Sequence, residues 1–408
     1  DYFRGDLGMV TIFFMCAKMN FGFFCHFSAN FFAVIFRCIF IFVSAILFVG
    51  ELFGLEYIEF RDYGVVRKES GEVLIEASDG LVFKSRDGQY FVITPENMIN
   101  RTEDDKPFQA YSMKEHIRRL ELEFPRAAGY SVMERPHFLI VYTTSRGFAQ
   151  WYSRILERVC NGFKNYWSIR GLRLTDPEFP LVTIIYSNRD DFFKHAESEG
   201  LNLSRNILAY YSKLTNRVVL CDLAGFESAG KNDRKSISQY LRQPEALFNI
   251  ATVVHEATHQ VSMNNGMQQR FSPYPLWVAE GVALFHETPD VKDSLGWNLT
   301  PKVNGIRLRD LRNYLQKKPV EPIQRIIKDD KLLRDSETVV DNYAMAWGLT
   351  YFLAKTKKTQ FCNYLKKLAE KKPQSDDSPE IRLKDFEEFF GNDWEKFYKE
   401  CDNFLKKL

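Results

Sequence analysis

Between Tyr57 and Asn100 the apolar residues come in short runs separated by turn-forming residues. Glu72–Glu76, Leu81–Lys84 and Tyr90–Ile93 read as strands, divided by Ser78-Asp79-Gly80 and Arg86-Asp87-Gly88. An Asp-Gly pair between such runs is a strong local hairpin signal, because its second residue readily takes a positive φ. The spacing predicts a small β module over about 56–105, ending near the polar stretch Arg101–Lys106. Further along the pattern mixes. His137–Thr143 and Leu181–Tyr186 are almost unbroken apolar runs and predict strands, while Arg146–Trp167 between them repeats its apolar residues at helical spacing. Asn206–Ser212 and Arg217–Asp222 flank Lys213–Asn216 as a hairpin. After about residue 240 nearly every segment has helical periodicity. This order predicts an α+β fold: the β module, then a mixed sheet-and-helix lobe over about 130–265, then a helical lobe over about 266–408.

Composition alters that picture at one place. Over 408 residues, 45% hydrophobic and 26% charged residues are globular proportions, which excludes a disordered, collagenous or coiled-coil chain. Residues 1–50, however, hold 13 of the 36 Phe, and Cys38–Gly50 is uncharged and preceded by Arg37. Thirteen residues match the apolar core of an export signal and are short for a helix that crosses a bilayer. Residues 1–55 are therefore expected to be an export signal or an N-terminal membrane anchor through 31–55, or in part an upstream extension. The protein is expected in the periplasm, the cell envelope or the medium. With Lys+Arg 55 against Asp+Glu 53 the net charge is +2, so nothing electrostatic calls for a nucleic-acid partner. None of the seven Cys forms a C-x-x-C pair, and their wide spacing predicts neither a cysteine zinc site nor a dense disulfide framework.

The chemistry concentrates between residues 245 and 290. Pro244 can open a helix from its first turn, Leu247, Ile250, Val254, Thr258 and Val261 recur at helical spacing, and Asn264-Asn265-Gly266 supplies a stop. This helix carries His255-Glu256-Ala257-Thr258-His259. An i, i+4 pair puts both imidazoles on one face, one turn apart, as chelation of a single Zn2+ requires. Glu256 projects beside them, where it can take a proton from water. A hydrolytic zinc site keeps three protein ligands, so a third is expected from a second helix. Ser272-Pro273-Tyr274-Pro275 reads as that helix's start, with Pro275 in its first turn, and Glu280 lies 280 − 259 = 21 positions after the second histidine. His286 and Glu287, further along the same segment, compete with Glu280 for this role.

These residues carry a resemblance. HEATHQ followed by PLWVAEG resembles the gluzincins, metallopeptidases in which H-E-x-x-H is completed by a glutamate on the following helix. More narrowly, YYSKLTNRVVLCDL (210–223), VVHEATHQ (253–260), PLWVAEGVALFHETPD (275–290) and YAMAWGLTYFL (343–353) resemble a bacterial family of uncharacterised peptidase-like domains, over a stretch from about Glu72 to the C-terminus. The resemblance implies His255, His259 and Glu280 as zinc ligands and Glu256 as general base. It also implies a catalytic role for Tyr343, which follows Glu280 at 343 − 280 = 63 positions, similar to the distance at which gluzincin aminopeptidases place an oxyanion-stabilising tyrosine. Read from the residues alone, Tyr343 is equally an aromatic on the buried face of a helix with Ala346, Trp347, Thr350 and Tyr351. Nothing upstream of His255 resembles the glycine-methionine-glutamate-asparagine motif of exopeptidases, which counts against aminopeptidase action.

The expectation is thus a zinc metallopeptidase acting on a peptide or protein substrate. Gluzincins bind extended substrate along an edge strand, and by resemblance Ala209–Ser212 or Val218–Cys221 would serve here. Two other classes stay open: an inactive peptidase-like binding protein, and a zinc amidase acting on cell-wall material. A retained Glu256 counts against the first, since a binding scaffold has no use for a base.

Overall fold

The structure, a computed structural model, describes residues 54–222, 240–288, 301–373 and 375–408. The Phe-rich start expected to direct or anchor the chain lies, apart from its last two residues, outside the described residues. No helix among the described residues is long and apolar enough to cross a membrane.

The N-terminal module is a five-stranded antiparallel sheet of β1 (Leu55–Asp62), β2 (Val65–Ala77), β3 (Gly80–Ser85), β4 (Tyr90–Ile93) and β5 (Met98–Asp104), in the order β4-β3-β2-β1-β5. Both Asp-Gly-containing turns fall between strands, as the pattern predicts. β5 closes the module by pairing with β1 and is not distinguished by the sequence pattern. Its face is mostly exposed, so it lacks the apolar run that betrays a strand. Ile58, Phe60, Leu81, Phe83, Phe91 and Ile93 form the small core of the module.

The second sheet is built from β6 (Ser131–Glu134), β7 (Phe138–Tyr142), β8 (Leu181–Tyr186), β9 (Ala209–Ser212) and β10 (Arg217–Cys221), in the order β6-β7-β8-β10-β9. β7, β8 and β10 run parallel, and β6 and β9 are antiparallel edges. Helices α1 (Met113–Glu123), α2 (Arg146–Ser168) and α3 (Arg189–Ser198) accompany it. A parallel strand covered on both faces must be apolar throughout, which explains LVTIIY in β8. Side chains alternate between the two faces: Leu181 and Ile185 join the core containing α2, while Val182, Ile184 and Tyr186 join the core containing α3. α1, α3 and β6 escaped the sequence reading. Each is short, and α1 buries only His116 and Leu120.

The rest is helical: α4 (Pro244–Asn264), α5 (Leu276–His286), α6 (Gly305–Gln316), α7 (Pro322–Lys328), α8 (Val339–Thr356), α9 (Lys358–Ala369), α10 (Pro379–Phe390) and α11 (Trp394–Leu405). α4 begins with Pro244 in its first turn and stops at Asn264, with Gly266 at φ 87 just beyond. It packs on the α2 face of the sheet through Ile250, Val253, Val254, Ala257 and Val261. α5 starts one residue later than the sequence suggested: Pro275 is its N-cap and stands outside the first turn. Every residue of α5 is buried, as its almost uniformly apolar sequence requires. It lies between α4 and α8, and Gly281 allows α8 to approach. A Cβ there would meet Thr350 Oγ1 at 2.1 Å and the Ala346 carbonyl oxygen at 2.9 Å.

Candidate metal centre

The packing of α4 against α5 brings His255, His259 and Glu280 together, with one ligand atom from each within 4.8 Å of the others. His255 Nε2 lies 3.1 Å from His259 Nε2 and 3.1 Å from Glu280 Oε2, and His259 Nε2 lies 3.6 Å from the same oxygen. Donor atoms held at ~2.0–2.1 Å by a tetrahedral zinc would sit roughly 3.3 Å apart, so the triangle has the right size for one ion. Two imidazole nitrogens and a carboxylate oxygen are also a fitting donor set. The three side chains are at most 2% exposed.

Charge couples the cluster. Burial alone would lower His255, but its hydrogen bonds to Glu280 and Glu287, and their charges, push it up to about 10. Burial lowers His259, with the Glu280 charge only partly opposing. Glu280 would be raised by burial, yet the charge on His259 and hydrogen bonds from both imidazoles hold it well below the usual carboxylate range.

Glu256 is fully buried, and neither of its carboxylate oxygens has a hydrogen-bond partner among the described residues. Burial first, and the Glu280 charge with it, raise its pKa well above the ordinary value; the His255 charge opposes them, as does the nearby Tyr211 backbone amide, which stands outside hydrogen-bonding geometry. An unsatisfied buried carboxylate is costly unless something polar enters beside it.

The competing residues of α5 separate cleanly. Glu287 is no member of the triangle. It accepts from His255 Nδ1 at 2.9 Å, and its other oxygen accepts from Asn304 Nδ2 at 3.0 Å and Arg307 Nε at 3.3 Å. A carboxylate on Nδ1 fixes the tautomer that leaves the Nε2 lone pair free for a metal. His286 points away, among Phe163, Tyr166 and Phe285, and its Nε2 accepts from Trp167 Nε1 at 3.1 Å. Burial, then the charges of Arg170 and Lys355, lower it to about 3, so it is a neutral core histidine.

Tyr343, on α8, is 4% exposed and faces the centre. Burial and then the charge and hydrogen bond of Glu280 raise its hydroxyl well above the ordinary value, with Glu256 adding to the effect. It is therefore both an aromatic of the core and a hydroxyl beside the carboxylates.

The hairpin of β9 and β10 lies alongside. Among the described residues β9 is the edge of the sheet, while β10 is interior, paired with both β8 and β9. Cys221 donates its backbone N–H to Leu208, so the alternation of an antiparallel ladder turns the backbone groups of Ala209 and Tyr211 to the open side. The support that Glu287, Asn304 and Arg307 give to His255 has no motif in the sequence. The signal available for Glu287 was its place two helical turns after Glu280 on one stripe of α5. The Tyr211 amide, a backbone group, leaves no side-chain signal.

No curated protein matches this chain. Its similarity to a known family spans Asn249 to Ser375, less than a third of the 408 residues, yet includes His255, Glu256, His259, Glu280, Glu287 and Tyr343. The family matched over that stretch, and so over the whole candidate centre, is the one described as Protein of unknown function (DUF1570).

Proposed function

We propose that this chain is a zinc-dependent hydrolase that cleaves peptide bonds, with His255, His259 and Glu280 as ligands and Glu256 as general base. One observation carries the reading: a buried carboxylate with no hydrogen-bond partner among the described residues lies within reach of the charges of His255 and Glu280, two members of a metal-sized triangle of donors. A purely structural site would place a fourth ligand there; a hydrolytic one leaves that position to water and sets a base beside it.

When bound, zinc would supply a Lewis acid that polarises the scissile carbonyl and acidifies water near neutral pH. Glu256 takes the proton of the attacking water. As the carbon–nitrogen bond breaks, it passes that proton to the departing amine, so the carboxylate is regenerated. Tyr343, whose hydroxyl hydrogen-bonds Glu280, would donate its hydroxyl hydrogen to the carbonyl oxygen as negative charge develops there. Glu287, braced by Asn304 and Arg307, keeps His255 turned to the centre. The free edge of β9 offers the Ala209 and Tyr211 backbone groups to an extended peptide, which would pair as a further strand. The apolar run Cys38–Gly50 favours an exported or membrane-anchored setting for this activity.

The deciding experiment sets metal analysis beside digestion of a diverse peptide library. Wild type should hold one zinc per chain, and Glu256→Gln should keep the metal while losing about 10² to 10⁴ in turnover, the usual scale for a general base. Unchanged turnover in Glu256→Gln would sink the mechanism. Turnover of cell-wall amides but not of peptides would move the substrate class.

A further inference from the structure

We infer that Arg270 is a positioning residue that pins the β9–β10 turn to the N-terminal β module, making that module part of the wall that sets the edge strand beside Glu256. The inference rests on the hydrolase reading only for its effect on turnover; the pinning itself rests on geometry.

Arg270 lies in the connection between α4 and α5, the two helices that bear the metal-site residues, and is 7% exposed. Its guanidinium donates in two directions. Nη1 reaches the Lys213 carbonyl oxygen at 3.1 Å, in the hairpin turn, and Nη2 reaches the Gly88 carbonyl oxygen at 2.7 Å, in the module. The same group lies 3.5 Å over the ring of Tyr90, which stacks in turn on Phe271 with centroids 5.2 Å apart. The Tyr90 backbone N–H donates to the Leu214 carbonyl oxygen at 2.7 Å. Two successive carbonyls of the turn are thus held from outside the hairpin, one by Arg270 and one by β4.

The other flank of the turn, Thr215 to Arg217, borders a cavity of about 340 Å³ and is held by polar contacts, Arg217 on Glu123 and Thr215 on Glu199. From the α4 side, Gln260 Nε2 donates to the Asn216 carbonyl oxygen at 2.8 Å, and Asn216 and Asn264 exchange side-chain hydrogen bonds. Gln260 immediately follows the second histidine. The hairpin is therefore clamped between the metal helix and the β module, and Tyr211, whose amide acts on Glu256, stands two residues before Lys213. Freeing Lys213 and Leu214 lets β9 pivot about its remaining bonds without disturbing the histidines. A planar guanidinium suits this position because it can donate along two edges while its face covers an aromatic ring.

The test compares Arg270→Met, which keeps bulk and removes the donors, with Arg270→Lys and wild type in the full chain. Three readouts are needed: zinc per chain, amide hydrogen exchange over residues 209–216, and kinetics on a peptide cleaved by the wild type. Arg270→Met should retain zinc, exchange faster over 209–216 than wild type, and raise KM about 10- to 100-fold with kcat less affected. Arg270→Lys should recover part of both changes. Wild-type exchange over 209–216 in Arg270→Met would overturn the inference, as would loss of zinc with faster exchange throughout the chain, which would make Arg270 a general structural residue. Should Arg270→Met fail to fold, Tyr90→Leu removes the ring under the guanidinium and must loosen the same segment. If wild type shows no Glu256-dependent turnover, the hydrolase reading falls, and hydrogen exchange still decides the role of Arg270.

Discussion

His255 is engaged at both ring nitrogens, Nε2 by the centre and Nδ1 by Glu287. The second contact sets the first: with the Nδ1 hydrogen committed to a carboxylate, the Nε2 lone pair points where a ligand's must. Removing such a support typically weakens metal binding 10- to 100-fold without abolishing it. Glu287→Ala should therefore show that graded loss in a zinc titration, whereas His255→Ala and His259→Ala should lose stoichiometric binding. Equal loss in all three variants would make Glu287 a ligand in its own right. Tyr343 allows a second separation at this scale. Tyr343→Phe keeps the buried ring and removes only the hydroxyl. An oxyanion role predicts a fall in kcat of about 10² to 10³ with zinc and thermal stability retained. A wild-type kcat would leave Tyr343 to the core alone.

Among the elements, α5 is the most constrained, because α4 needs its Glu280 face and α8 presses on the adjoining side at Gly281, about 100° around the helix. Adding a methyl group there would drive it into Thr350 Oγ1 and toward the Ala346 main chain. Backbone cannot yield as a flexible side-chain tip can. Overpacking of this kind costs about 1–3 kcal/mol. Gly281→Ala should therefore unfold at lower denaturant and, because Glu280 is the adjacent residue, also bind zinc more weakly. A variant with full stability and full zinc affinity would show that α5 and α8 can separate freely. Local pattern made the element itself legible: α4 is marked by Pro244, its apolar spacing and Asn265-Gly266, and β8 by the almost unbroken apolar run LVTIIY. α1 was not, since MKEHIRRLELE buries two residues and is helical largely because Ser112 caps it and the sheet receives its apolar side.

For the molecule as a whole, the centre joins the sheet lobe to the helical lobe. His255 and His259 stand on α4, which packs on the sheet. Glu280 stands on α5, and Tyr343 on α8. An ion that binds only when these elements are assembled stabilises the assembly by linkage. At free zinc 100-fold above Kd the gain is about 2.7 kcal/mol. Thermal unfolding should accordingly shift upward with added zinc and downward with a chelator, and the shift should vanish in a His255→Ala, His259→Ala double variant. A zinc-independent midpoint in wild type would show that the three side chains do not hold the ion in the folded chain.

By itself the sequence determined the α+β order, three of the five strands of the β module, and the helix on which two histidines and a glutamate share one neighbourhood. Each of these follows from short-range periodicity, which repeats within the window a strand or helix occupies. It left Glu280, His286 and Glu287 as rivals for one role, and the reason is geometric. At about 100° per residue, Glu287 returns to within ~20° of the Glu280 stripe two turns on, while His286 is roughly 120° away. Periodicity could therefore turn His286 aside, yet could not rank two glutamates on one stripe. Only the crossing of α4 over α5 decided that Glu280 meets Nε2 and Glu287 meets Nδ1 of the same imidazole. Likewise the sequence offered both strands of the hairpin as the edge. The pairing of β10 with β8, between residues more than thirty positions apart, left β9 free. Contacts between distant segments depend on how whole elements pack, and no local pattern records that.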